Sequence, residues 1–180
     1  IGVRLVGSEM CIRDRDTSVL PDQLDGFVYC PGSINLRPFK GLKPETFLKD
    51  FEINVLGAVK SLQAVLKNLL ESPQASIVLF STVAVQTGMP FHASVAAAKG
   101  AIEGLTRSLA AEYAPKFRVN TIAPSITDTP LANKFLNNEV KLEKANERHP
   151  LKNIGSAKDI AHTARFLLSD ESKWTTARCK

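Results

Sequence analysis

Three short apolar runs punctuate the chain, each closed by a turn signal and followed by a longer stretch of helical periodicity. "LDGFVYC" (Leu24–Cys30) ends on the turn Pro31–Ser33, "ASIVLFST" starts at Ala75, and "FRVNTIAPS" starts at Phe117 and is cut by Pro124. Continuous Val, Ile, Leu and Phe over so few residues predicts strands covered on both faces. The predicted strands are Leu24–Cys30, Ser76–Ser81 and Arg118–Ile122, all parallel. Pro44 suits a first helical turn. After it Phe47, Phe51, Val55, Val59, Leu62, Leu66 and Leu69 step by three and four, predicting one long amphipathic helix that ends before Pro73. A second helix is predicted from His92 to Tyr113, with Ala98, Ile102, Leu105 and Leu109 on one stripe. A last helix is predicted in "GSAKDIAHTARFLLSDES", where Ser156 and Asp159 have capping-box spacing. "LANKFLNNEVKLEKANERHP" (131–150) is polar and weakly periodic, and reads as a mobile excursion. Strands alternating with helices predict an α/β fold built on a parallel sheet. In such sheets ligands bind beyond the carboxyl ends of the strands. Those ends are "YCPGS", "FSTVA" and "IAPSITDTP", all small or polar, so one shared site is expected there.

Composition changes this picture little. The 180 residues suffice for one domain with a core. No apolar run approaches the length of a membrane span, so no membrane partner is expected. Of the net charge of +5, residues 1–15 carry +1 and residues 173–180 carry +3, leaving +1 between. The basic character is terminal, and no clustered basic face suggests nucleic acid. Cys11, Cys30 and Cys179 have neither metal spacing nor a disulfide framework, so no metal is expected. Cys30, closing an apolar strand, reads as a reduced, buried thiol, and a cytoplasmic location follows from that usage. The opening "IGVRLVGSEMCIRDR" (1–15) has no sustained period and resembles a translated sequencing adaptor rather than protein. The end, 175–180, is expected to be foreign as well, and the chain stops where one more strand is due. The interpretable domain is 16–174.

In this order the segments resemble the short-chain dehydrogenase/reductase family, over about Leu24 to Trp174. The family's strand-end N-N-A-G corresponds to Cys30, Pro31, Gly32 and Ser33. Its helix asparagine corresponds to Asn54 in "INVLGA", and its catalytic serine to Thr82. In its Y-x-x-x-K motif the lysine is Lys99 and the tyrosine position is Val95. Its nicotinamide-side P-G motif reads "PSITDT", with Pro124 and Thr129 kept, Ser125 in place of glycine and Ile126 after it. The resemblance implies a partial Rossmann-type doubly wound parallel sheet lacking the first βαβαβ half and the last strand. It implies catalytic roles for Asn54, Thr82 and Lys99. It also implies contacts to NAD or NADP from Cys30, Pro31, Gly32, Ser33, Lys99, Pro124, Ser125, Ile126 and Thr129. The family's T-G-x-x-x-G-x-G pyrophosphate loop is not found in this sequence. The chain is therefore expected to be a fragment that binds the cofactor weakly or not at all, its intact parent acting on a small carbonyl or alcohol substrate. The implied partner is a second copy, docked through helices 44–71 and 92–113.

Val95 is the departure that matters. Valine has no donor or acceptor, and neither Tyr29 nor Tyr113 stands four residues before a lysine. Proton transfer is then left to Thr82, water, the substrate or His92, with Ser81 and Ser94 as weaker candidates. The implied function is a divergent oxidoreductase. The alternative is a cofactor-binding relative without turnover, acting as a sensor or partner subunit.

Overall fold

The computed structural model describes residues 20–179; the expectation for residues 1–15, and Cys11 and Lys180 with it, lies outside them. The three apolar runs form β1 (Gly26–Val28), β2 (Ala75–Phe80) and β3 (Phe117–Ile122). They lie side by side in that order, all parallel, with Phe27 opposite Ile77 and Ile77 opposite Val119. Alternation along β2 divides the core. Ala75, Ile77 and Leu79 face a cluster built from two helical segments, α2 (Gly57–Leu70) and α4 (Ala93–Tyr113). Val78 and Phe80 face α7 (Ala157–Leu168), which covers the other side through Ile160, Ala164 and Leu167. This is an α/β Rossmann-like layer with helices on both faces.

The long first helix is interrupted. α1 (Pro44–Phe51) passes through a π-helical turn at Glu52–Leu56 before α2 begins. Successive steps of four drift by about 40° each on an α-helix, and the wider turn absorbs that drift. The buried face consequently runs through Asp50, Asn54, Ala58, Leu62, Val65 and Leu69, while Phe51 of the predicted stripe is 40% exposed. The excursion is structured. It contains α5 (Asn133–Leu136) and α6 (Glu139–Glu147), held between a short parallel pair, β4 (Thr127–Asp128) and β5 (Gly155–Ser156). α3 (Ala84–Thr87) is a single turn after β2. The capping box at Ser156 and Asp159 is present in both directions.

Two expectations for the first strand are corrected. β1 is not covered on both faces: Val28 is 37% exposed, and Cys30 beyond it is exposed rather than buried. Among the described residues β1 is an edge strand that pairs only with β2, so nothing covers its outer side. At the opposite edge residues 175–179 run beside β3. Ala177 N donates to Val119 O, Thr121 N to Arg178 O, and Thr121 and Cys179 form a parallel bridge. That is where the alternation places one more strand.

Candidate functional site

The carboxyl ends of β1 and β2 and the middle of the first helix meet at Gly32. A β-carbon there would lie 3.2 Å from Asn54 Oδ1 and 3.5 Å from Lys99 Nζ. Glycine thus keeps open a point on which one acceptor and one ammonium converge. Asn54 is fully buried in the π-turn. Its Nδ2 donates to Asp50 O and to Ser33 Oγ, both at 2.8 Å, while Tyr29 Oη donates to Ile53 O. Side chains thereby satisfy carbonyls around the widened turn, where π-bulges commonly accompany functional sites. Asp50, buried one turn earlier, accepts from Ser33 Oγ and Asn35 Nδ2 through Oδ1, and its Oδ2 has no partner among the described residues. The loop after β1 is pinned to this helix by these side chains and by the Ser33 amide, which donates to Asn54 Oδ1 at 3.4 Å.

Lys99 is carried by α4 and only 9% exposed. Its Nζ donates to Phe80 O, the last carbonyl of β2, at 2.9 Å. Burial lowers its pKa from 10.5 to about 8, with Cys30 acting the other way. Val95, one turn before it, is 4% exposed and offers only methyl groups to the shared helix face. Thr82 is half-buried, and its Oγ1 accepts from Ala84 N at 3.3 Å, heading α3. Ser81 is turned elsewhere. It is buried and donates to Glu103 Oε1 at 2.8 Å, which takes it out of the cleft. His92 Nδ1 lies 2.7 Å from Pro90 O, and Ser94 Oγ is buried with no partner among the described residues.

The third strand end joins through its backbone. Val83 N donates to Pro124 O, so Pro124 and Ser125 lie against the loop that carries Thr82. Ser125 O accepts from Thr127 Oγ1, and Thr129 Oγ1 donates to Thr127 O, which turns Ile126 half inward. From the excursion Lys134 Nζ reaches across to Ile34 O at 2.8 Å. Leu131 closes a cavity of about 460 Å³ with Gly32, Ser33, Asn35 and Arg37. Sequence reasoning missed Asp50, Asn35 and His149. For Asp50 a signal existed, since it precedes Asn54 by one helical turn. His149 sits in a polar segment whose pattern carries no such signal, yet its Nε2 lies 2.8 Å from Ser125 Oγ.

The group implied for this cleft is a nicotinamide dinucleotide, and the donor set fits one part of it. A buried ammonium beside an open glycine suits a vicinal ribose diol, which needs a donor and a close backbone approach. Residues 15–179 match the model of a family described as enoyl-(acyl carrier protein) reductase. The chain is 33% identical to the inactive 2-(S)-hydroxypropyl-CoM dehydrogenase 2 of Xanthobacter autotrophicus, over 85% of this chain and 69% of that protein. It is 30% identical to carbonyl reductase [NADPH] 2 of Sus scrofa, over 78% of this chain and 59% of that one. The ligand-free aldohexose dehydrogenase of Thermoplasma acidophilum superposes with a TM-score of 0.82 at 25% identity, covering 87% of this chain and 65% of its own. The chain spans between 47% and 69% of the length of such curated relatives.

Proposed function

The chain belongs to the short-chain dehydrogenase/reductase family, and on that premise we propose that the complete protein is a divergent NAD(P)-dependent oxidoreductase interconverting small carbonyl compounds and alcohols. The observation that carries this reading is the convergence of Lys99 Nζ and Asn54 Oδ1 on the open face of Gly32. Lys99 holds the ribose hydroxyls of the cofactor, and Gly32 lets them approach. Cys30, Pro31 and Ser33 line the same loop, while Pro124, Ser125, Ile126 and Thr129 flank the nicotinamide end. The bound nicotinamide supplies or accepts the hydride, chemistry that no side chain carries. Thr82 orients the substrate oxygen, and Asn54 fixes the helix turn and the acceptor beside Lys99.

This chain by itself binds the cofactor weakly or not at all, because it contains no glycine-rich loop for the pyrophosphate. The complete protein works in the cytoplasm as an oligomer joined through helices 44–71 and 92–113. Leu48 at 70%, Phe51 at 40% and Leu56 at 40% exposure leave an apolar strip on the first of these for a second copy.

A second reading, cofactor binding without turnover, is favoured by the buried Val95, which removes a step worth about 10²–10⁴-fold. The experiment that separates them titrates the complete protein with NADH and NADPH and then assays a panel of ketones and aldehydes. Oxidoreductase function predicts saturable binding and turnover of at least one carbonyl. Binding without any turnover selects the second reading, and no binding removes both.

A further inference from the structure

We infer that His149, acting through the Ser125 hydroxyl, moves the proton that Val95 cannot. The inference rests on the oxidoreductase reading above. His149 follows α6, and its Nδ1 lies 2.7 Å from Ala145 O. A carbonyl only accepts, so Nδ1 carries a hydrogen and Nε2 is the nitrogen that exchanges one. Nε2 lies 2.8 Å from Ser125 Oγ. Imidazole is the side chain best suited to carry a proton near neutrality. When Nε2 is protonated it donates to Oγ, which frees the Ser125 hydrogen to be donated onward. When Nε2 is bare it accepts that hydrogen back. Both states keep the same heavy-atom geometry, which is what a relay requires.

The pair is also placed at the strand ends. Pro124 O, one residue before Ser125, accepts from Val83 N, one residue after Thr82. Ser125 and Thr82 therefore stand on either side of a single backbone hydrogen bond between the loops that follow β2 and β3. Ser125 is exposed and His149 half-buried, so the hydroxyl is open to a substrate and the imidazole can be recharged from water. The other two histidines are less well placed. His92 is held by Pro90 O, and His162 lies on α7, across the sheet from α4. The step balances. In reduction a hydride from the reduced nicotinamide forms the new C–H bond, and the carbonyl π pair moves to oxygen. That oxygen takes the Ser125 proton, Ser125 takes the Nε2 proton, and His149 is left neutral. Oxidation runs the same transfers backwards.

The test uses the complete protein with 9,10-phenanthrenequinone as carbonyl probe, after NADH and NADPH affinities are measured for the wild type, His149→Gln and Ser125→Ala. The relay predicts that His149→Gln lowers kcat by about 10²-fold or more. KM and cofactor affinity should stay within about twofold, and soluble imidazole should restore part of the loss. Ser125→Ala should lower kcat in the same direction. Independently of activity, ¹⁵N NMR of the imidazole should show the Nδ1–H form, with the Nε2 resonance displaced in Ser125→Ala. Near-wild-type kcat in His149→Gln, a loss confined to KM, or an Nε2–H neutral form overturns the relay while the oxidoreductase reading stands. Cofactor binding without turnover of the probe by the wild type also overturns it. Absence of cofactor binding removes both.

Discussion

At the scale of single residues, Lys99 and Val95 set the problem. Lys99 is held in the fold against its own hydration. Burial brings its pKa down to about 8, so the folded chain binds that proton more weakly than the unfolded chain does. Stability linked to this group is therefore lowest below about pH 8 and recovers as pH rises from 8 towards the ordinary lysine value of 10.5. Relative to Lys99→Met, the wild type should gain thermal stability as pH rises from about 8 towards 10.5, in scanning calorimetry across that range. A lysine that weakens the fold is expected where binding needs it. The same replacement should abolish cofactor binding by the complete protein. Val95 is the complementary case, a residue that packs well and does no chemistry. Val95→Tyr introduced into the His149→Gln background should recover carbonyl reduction, because a phenol one turn before Lys99 replaces a missing proton donor. Steady-state kinetics of the double variant measures it, and no recovery would mean that the cleft cannot admit a phenol or that proton transfer is not what was lost.

At the scale of elements, the π-turn positions the cleft and the buried arginine fastens the opposite end of the sheet. Gly32→Ala would bring a methyl group to 3.2 Å from Asn54 Oδ1 and 3.5 Å from Lys99 Nζ. A contact that tight obliges a neighbour to shift, and cofactor affinity in the complete protein should fall at least about tenfold, since the open point is filled. Arg118 anchors α7 at the amino ends of the strands. Its guanidinium is buried and donates to Leu167 O, Ser169 O and Ser172 Oγ, tying the carboxyl end of that helix to β3. Arg118→Met should lower unfolding free energy by about 1–3 kcal/mol in urea denaturation, because it leaves buried carbonyls unpaired. The strands, the helix ends and the capping box were legible because each follows from apolar period and turn chemistry. Lys99, Val95 and Thr82 were singled out only through the resemblance to the family's motifs. Phe51's exposure was not legible, since a π-turn shifts the inward face without changing the residue pattern, and the burial of Asp50 could be read only from its place one helical turn before Asn54. Glu103, buried on α4 where it accepts from Ser81, looked like any surface acid. The pairing of His149 with Ser125 joins residues 24 apart in sequence through a loop whose path no local pattern fixes.

At the scale of the whole molecule, three parallel strands bring Gly32, Phe80 and Pro124 to one edge of the sheet, and α4 delivers Lys99 to the same edge. The excursion bends back over it, fastened by Lys134 to Ile34 O on one side and by His149 to Ser125 on the other. Apolar side chains left outside this arrangement include Leu48, Phe51 and Leu56. Replacing Leu48 and Phe51 by glutamate should shift the complete protein towards monomer in light scattering, since the charged strip no longer buries against a second copy. Everything proposed for the cleft depends on its taking a nicotinamide dinucleotide through Lys99. Calorimetric titration of the complete protein with NADPH and NADH, at pH 7 and pH 9.5, tests that most directly. Saturable binding of at least one cofactor at pH 7, weaker at pH 9.5 as the ammonium is lost and absent in Lys99→Met, is the predicted result. Binding that Lys99→Met leaves unchanged, or no binding of either cofactor at millimolar concentration, would contradict it.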